Sequence, residues 1–303
     1  MFPKDTEVVR ADSLSEAAAL LREYGPDAQL IAGGQSLVPM MKLRLAAPDT
    51  LVDISALPSP GIRIEDGQAI LPALATHADA IDHEALTATF DLIDDAIPQI
   101  ADPQVRNMGT VGGSLGQADP SGDWGPVVMA LSGTVHTVSS EGGRALDADD
   151  LFDGTLSTTL AADELIERVT LPLPDPAHDV GGAYLKVKRR QGVYATASVG
   201  VHLELDDGAV ANAGVVVNSV GPDYHHAAAV EELLEGEQLS DELIREGADR
   251  LLSNLEVLAD TRGSVAYKRD VVRALFKRAA KTADDRAAGI EVETDPLAQM
   301  GAI

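Results

Sequence analysis

The chain has 303 residues, 45% of them apolar, which is material for about two domains of ~150 residues each and excludes intrinsic disorder. It contains no cysteine, so it has no disulfide frame, thiolate zinc site, iron–sulfur cluster of its own or cysteine nucleophile, and any redox chemistry requires a borrowed cofactor. A formal charge of −26, from 49 acidic and 23 basic residues, sets a repulsive field against nucleic acid over most of the surface.

The first residues, MFPKDTEVVRADSLSEA, lack the order of a secretory signal, and no run approaches the ~18 apolar residues of a membrane span, so a soluble cytoplasmic protein is expected. A short first strand precedes an amphipathic helix that Ser13 and Glu16 open as a capping box and Gly25 ends. Residues 28–32 read as a buried strand running into Gly33-Gly34-Gln35-Ser36, and Pro39 suits the first turn of the helix beyond. Residues 50–55 form another strand, and Asp66-Gly67 marks a hairpin. A helix over 87–100 leads to a second glycine loop, 106–116, followed by a helix over 124–132, a strand over 134–138 and a closing strand over 165–173. Prolines 172, 174 and 176 place a boundary near 177. Beyond it come three strands, two of them joined at Asp206-Asp207-Gly208, then helices near 225–235, 240–253 and 262–281, then a tail.

The two glycine loops are the candidate site. A strand that ends in Gly-Gly and turns into a helix leaves backbone N–H groups unpaired with no Cβ to block approach, which suits a pyrophosphate or, equally, an empty tight turn. The first loop adds Gln35 and Ser36 as donors, and the second adds Thr110 and Ser114. Neither contains the GxGxxG of a Rossmann turn or the GKS/GKT of a P-loop, but two such loops in one domain point to a dinucleotide.

The segments Ala32-Gly-Gly-Gln-Ser-Leu-Val-Pro-Met-Met-Lys-Leu-Arg-Leu45, Ala101-Asp-Pro-Gln-Val-Arg-Asn-Met-Gly-Thr-Val-Gly-Gly-Ser-Leu115 and Ala118-Asp-Pro-Ser-Gly-Asp123 resemble the FAD-binding medium subunit of molybdenum hydroxylases, the aerobic carbon monoxide dehydrogenase and xanthine dehydrogenase family. The resemblance covers about residues 1–285, including Lys186 and the Gly192-Val-Tyr194-Ala stretch. Two departures stand out: Gln35 where the carbon monoxide enzymes often carry His, and Arg190-Gln-Gly192 in place of Pro-Ala-Ser before the tyrosine. What the resemblance implies is an α+β fold: a two-part FAD-binding domain of the vanillyl-alcohol-oxidase/MurB (PCMH) type over 1–177, and a carbon monoxide dehydrogenase flavoprotein C-terminal-like domain over 178–285. The latter is a three-stranded antiparallel sheet with three helices, and 286–303 form the tail. It further implies FAD held by Ala32, Gly33, Gly34, Gln35, Ser36, Leu37, Thr110, Val111, Gly112, Gly113, Ser114, Asp123, Lys186 and Tyr194, with no metal and no catalytic acid or base on this chain. The implied partners are a large molybdenum-cofactor subunit and a small subunit with two [2Fe–2S] clusters, as a dimer of heterotrimers.

Other residues keep two readings. Asp119 and Asp123 follow the second loop, where a carboxylate accepts from ribityl or ribose hydroxyls or opens a turn. Lys186, Lys188, Arg189 and Arg190 reverse the field locally, as contacts to phosphates, as contacts to a partner or as a solvated strand face; alternation puts Arg189 opposite the other three. Tyr194 covers the flavin or is an ordinary sheet aromatic, while Trp124, the sole tryptophan, packs the core. Basic residues at 269, 273 and 277 share a helix face that is either solvated or a dock for an acidic partner. The seven histidines show no metal spacing.

Asp outnumbers Glu 31 to 18 along the whole chain, which reads as a surface adapted to concentrated salt. The function expected is an electron-transfer flavoprotein subunit of an oxidoreductase. The alternatives are a stand-alone FAD oxidoreductase of the same fold, which needs a substrate cap, and a non-enzymatic nucleotide-binding scaffold.

Overall fold

A computed structural model describes residues 3–292 and builds them around three sheets. The first is parallel, with β1 (Glu7–Arg10), β2 (Ala28–Ile31) and β3 (Thr50–Asp53) in the order β1-β3-β2. Its crossover helix, Leu14–Tyr24, starts where expected, with Ser13 accepting from the Glu16 N–H and Gly25 ending it at φ 67°. Only half of the capping box forms, since the Glu16 carboxylate accepts from the Asp12 N–H (2.6 Å) instead of from Ser13. Ala17, Ala18 and Leu21 on its inner face pack on Val52 and Ile54.

The second sheet is antiparallel: β4 (Arg63–Glu65), β5 (Gln68–Pro72), β6 (Thr134–Val138), β7 (Ala145–Asp147) and β8 (Leu165–Pro172), in the order β4-β5-β8-β6-β7. Asp66 and Gly67 both take positive φ, as a two-residue hairpin loop of type I′ demands. The helix expected over 87–100 is broken. Phe90 leaves the helical region at φ −126°, ψ 93°, separating Glu84–Thr89 from Asp91–Ala96, and its ring is buried in the core.

The third sheet is β12-β11-β10-β9, from β9 (Asp179–Val187), β10 (Ala197–Asp206), β11 (Ala209–Asn218) and the short β12 (His225–His226). The structure thus adds a two-residue fourth strand to the three expected. Both faces are covered, which is why these strands read as unbroken apolar runs rather than alternating ones. Ala183, Leu185, Val199, Val201, Val215 and Val217 face the helices Asp241–Asn254 and Val265–Ala287, while Tyr184 and Val216 join the core that contains Leu92, Trp124 and Val128. Each fully buried Val or Leu here contributes ~1.5–3 kcal/mol relative to exposure.

Two polar devices fasten this sheet to the rest. Strand β9 is an edge, and its outward N–H groups at Gly182 and Tyr184 donate to Asp91 (2.9 Å) and Asp95 (3.0 Å), one helical turn apart. Arg286, near the end of the last helix, grips both Asp95 oxygens (2.9 and 3.1 Å). At the other edge, His226 donates from Nδ1 to Asp149 (2.7 Å) and from Nε2 to Glu231 (2.8 Å), and these two carboxylates push its pKa up to about 10. A group whose folded pKa is raised stabilises fully below its unfolded value and loses that contribution as pH rises through the folded value. His226→Gln is therefore expected to cost about 2 kcal/mol below pH ~6.5 and progressively less toward pH 10. Urea melts across that range test this; a cost that does not change with pH would show that the imidazolium is not the active form.

The basic face at 269, 273 and 277 is largely occupied within the fold. Arg269 donates to the Leu252 carbonyl (2.8 Å) at the end of the preceding helix, and Arg273 pairs with Asp249. Lys268 is buried against Asp260 (3.1 Å). The tail expected over 286–303 falls mostly outside the described residues, and the last helix extends to Ala287. Among the described residues no helix is long and apolar enough to cross a membrane.

Candidate cofactor-binding site

The first loop leaves the carboxyl end of β2, anchored where Ile54 donates to the Ile31 carbonyl (3.0 Å). Gly34 adopts φ +69°, a left-handed conformation that turns the chain into the helix Leu37–Leu43. Gly33 is required for a different reason: a Cβ there would lie 1.8 Å from the Met108 carbonyl oxygen of the second loop, so the two loops touch through backbone. Among the described residues, nothing accepts a hydrogen bond from the backbone N–H groups of Gly33, Gly34, Gln35, Ser36 and Leu37. Five consecutive donors are thus left for a ligand or solvent.

The second loop behaves differently from its sequence. Its amides are consumed internally: Val111 donates to Ala75, Gly112 to Ala73 (2.9 Å each), Gly113 to the Thr110 hydroxyl and Ser114 to the Thr110 carbonyl (3.0 Å each). The expectation of outward N–H groups on both loops therefore holds for the first and fails for the second. Segment 73–75, just past β5, supplies the acceptors for Val111 and Gly112. What this loop retains is side-chain chemistry. Thr110 Oγ1 accepts from Gly113 and keeps its own proton to donate, and Ser114 carries a second hydroxyl.

Between the loops and the third sheet lies a polar cluster. Lys186 donates to both oxygens of Asp123, at 2.7 and 2.9 Å, and the two side chains are 3% and 5% exposed, so the residues proposed separately as FAD contacts form one buried ion pair. The Tyr184 hydroxyl lies 2.8 Å from Asp123 and 2.9 Å from the Asn218 Oδ1, and its single proton serves one of them at a time. Lys186, Ser198 and Asn218 are register partners across β9, β10 and β11, which is how three distant segments deliver this row. Lys188 is also buried, and no described residue accepts from its Nζ. Burial, with the Lys186 and Arg106 charges adding to it against the opposing pull of Asp123, brings its pKa down to about 8. Asp119 accepts from the Ser121 N–H (2.9 Å), the turn-opening role.

His77 opens a short helix behind a Thr76–Asp79 capping box and accepts at Nδ1 from the Trp124 indole N–H (2.9 Å). Burial lowers its pKa to about 4, so the ring is neutral at pH 7. Tyr194 is 50% exposed, and its ring lies 5.8 Å from the Arg262 guanidinium.

The two loops, His77, Asp119, Asp123, Lys186, Tyr194 and Arg262 line one cavity of about 1070 Å³, just above the ~300–1,000 Å³ typical of small-molecule sites, while Tyr184, Lys188, Asn218 and Trp124 lie behind its wall. Of the fourteen residues expected to hold FAD, thirteen line it: Ala32, Gly33, Gly34, Gln35, Ser36, Leu37, Thr110, Gly112, Gly113, Ser114, Asp123, Lys186 and Tyr194. Val111 does not, because its side chain is fully buried behind the loop. Of the basic run, Arg189 and Arg190 line it together with Lys186, and Lys188 does not; the structure adds His77 and Arg262. No local pattern marks His77 or Arg262, since their partners Trp124 and Tyr194 are far away in sequence.

Residues 4–174 match the family model described as the FAD binding domain in molybdopterin dehydrogenase, and residues 182–283 match the carbon monoxide dehydrogenase flavoprotein C-terminal domain. The chain belongs to the FAD-binding medium-subunit family of molybdenum hydroxylases. It is 34% identical over 282 residues to the glyceraldehyde dehydrogenase medium chain of Sulfolobus acidocaldarius, covering 93% of this chain and 99% of that one. Identity is also 34% to the carbon monoxide dehydrogenase medium chain of Hydrogenophaga pseudoflava, covering 95% and 100%. A solved carbon monoxide dehydrogenase structure from the same organism, lacking the Mo-pyranopterin moiety, contains a chain that superposes with a TM-score of 0.91 at 35% identity, covering 94% of this chain and 99% of that one.

The chain is thus a flavoprotein subunit of an oxidoreductase, and FAD is its cofactor. The residues present fit that group: five free amides suit an anionic diphosphate, and the cavity that they border is large enough for a dinucleotide.

Proposed function

We propose that this subunit accepts electrons from [2Fe–2S] clusters of a small partner subunit and passes them through FAD to an external acceptor, while a large partner carrying the molybdenum cofactor oxidises the substrate. The observation that carries this reading is a dinucleotide cavity lined by donors and a buried ion pair in a chain without cysteine, so that the cofactor is held here and any clusters are held elsewhere. Bound FAD supplies the electron chemistry, and this chain's residues bind, orient and shield it. In this reading the first loop, Ala32 to Leu37, takes the diphosphate on its free amides. Thr110 and Ser114 add hydroxyl donors, Asp123 and Lys186 form a rigid polar wall, and Tyr194 with Arg262 borders the entrance.

The domain division at 177, the dimer of heterotrimers and a cytoplasmic location belong to the same reading. So does salt adaptation: acidic self-repulsion is screened at molar salt, and a melting temperature unchanged between dilute and molar salt would refute it. The substrate is not a property of this chain. Equal 34% identity to relatives named for glyceraldehyde and for carbon monoxide fits a common flavin module serving different large subunits.

Purification at high salt from the native source, with flavin absorbance, metal analysis and native mass spectrometry, tests the proposal. The expected result is a yellow protein bound to one larger and one smaller partner, the complex containing molybdenum and iron. A lone yellow protein that turns over substrate would favour the stand-alone oxidoreductase, and a colourless one the scaffold.

A further inference from the structure

The cavity wall at the second loop offers the Thr110 and Ser114 hydroxyls but none of the backbone donors of residues 111–114, because those amides are all spent within the protein. His77 lies against that wall. A Cβ on Gly109 would stand 2.7 Å from His77 Nε2 and 3.0 Å from its Cδ2, so the edge of the ring away from Trp124 faces the start of the second loop, where both residues line the cavity. The backbone fixes this placement too, since the His77 N–H donates to the Gly109 carbonyl (3.0 Å).

The tautomer follows from Trp124. An indole N–H is a donor only, so Nδ1, at 2.9 Å, must be the acceptor, and in a neutral imidazole the proton then resides on Nε2. The alternatives are closed. Trp124 is fully buried and cannot turn its N–H elsewhere, and burial opposes the doubly protonated ring. The charges that face the ring are Asp123 and Arg106, which pull its titration in opposite directions. His77 is 5% exposed, yet its Nε2 finds no acceptor among the described residues. Unlike the Lys188 Nζ, His77 Nε2 keeps some accessible surface, so an acceptor in the cavity would take the place of water there.

We infer that His77 is a cofactor-binding residue: held as the Nε2–H tautomer by Trp124, it donates an uncharged hydrogen bond to an acceptor oxygen of the FAD on the second-loop side of the cavity. This rests on the cofactor reading above and extends it to a residue outside both glycine loops. A neutral, pre-oriented donor supplies attraction to an oxygen without placing a further cation beside Lys186, Lys188 and Arg106. Trp124 acts through His77 and is a positioning residue.

The test uses the full chain stripped of flavin and titrated with FAD by fluorescence. His77→Phe is expected to weaken binding about tenfold, and His77→Gln, whose amide nitrogen can occupy the place of Nε2, to restore it to within about twofold. Trp124→Phe should weaken binding several-fold, and adding it to His77→Phe should cost nothing more, because the two act as one unit. Nitrogen-15 NMR of the wild-type imidazole is expected to show the proton on Nε2, and its signal should shift when FAD is added. That last readout needs no variant and stands even where a substitution disturbs folding. Equal FAD affinity of wild type and His77→Phe, or a wild-type proton on Nδ1, would overturn the inference alone. Failure of the wild type to bind FAD would instead overturn the cofactor reading.

Discussion

Lys186→Met is expected to cost the FAD-free protein about 3–5 kcal/mol in a urea melt, because it leaves Asp123 charged, desolvated and without its partner. Asp123→Leu should cost a similar amount by stranding the lysine. The double variant should be much milder than the sum, since an apolar pair of comparable volume avoids both desolvation penalties. The size of this effect comes from burial, with side chains only 3% and 5% exposed; a surface pair would contribute ~0–1 kcal/mol. Tyr184 adds to it, for its hydroxyl loses an ionic acceptor when Asp123 is removed. The measurement also separates two roles. If Lys186 served only as a contact to FAD phosphates, the flavin-free protein would be indifferent to its loss, and melts with unchanged midpoints would discard the structural pair.

Local signals in the sequence proved readable where the determinants were themselves local. Ser13, Glu16 and Gly25 bound the first helix as their side chains and backbone require, and Asp66-Gly67 and Asp207-Gly208 form their turns with paired positive φ values. The two glycine loops were visible for the same reason. What escaped were features set by packing across the fold. The break at Phe90 arises because a core aromatic must point inward at a place where helical periodicity would continue. Strand β12 is too short to carry a pattern and exists only because β11 offers it an edge. The second loop has the composition of an anion cradle, but Ala73 and Ala75 supply carbonyls that take two of its amides, and no feature of the loop's own residues reveals that. The alternation expected over Lys186–Arg190 does not carry through, because β9 ends at Val187: Lys186, Arg189 and Arg190 all line the cavity, while Lys188 is buried without lining it. Nor does the sequence reveal that Lys186 is buried, since the carboxylate it meets is 63 residues upstream. The fastening of Arg286 to Asp95 spans 191 residues and lies equally beyond a linear reading.

Gly33→Ala is expected to remove more than about 3 kcal/mol of stability and FAD retention together. Its Cβ would overlap the Met108 carbonyl oxygen at 1.8 Å, and because the obstacle is backbone on the facing loop, no side-chain rotation relieves it. Gly112→Ala meets a similar obstacle, with Ala73 Cβ at 2.5 Å. Neither glycine can therefore report on flavin binding apart from the fold, since both are spacing residues between protein segments. Gly116 is the position that separates the two effects. It lines the cavity, lies in the helix Val111–Gln117 and has no atom within 4 Å of the point that a Cβ would occupy. Gly116→Ala should stabilise the FAD-free protein by ~0.5–1 kcal/mol through helix propensity. Gly116→Leu should melt no lower than wild type while weakening FAD at least tenfold, because its side chain projects into the space that the dinucleotide would fill. Thermal melts paired with flavin titration decide the matter. Full FAD affinity in Gly116→Leu would move the cofactor off this wall, and an undisturbed melt of Gly33→Ala would show that the two loops do not touch as described.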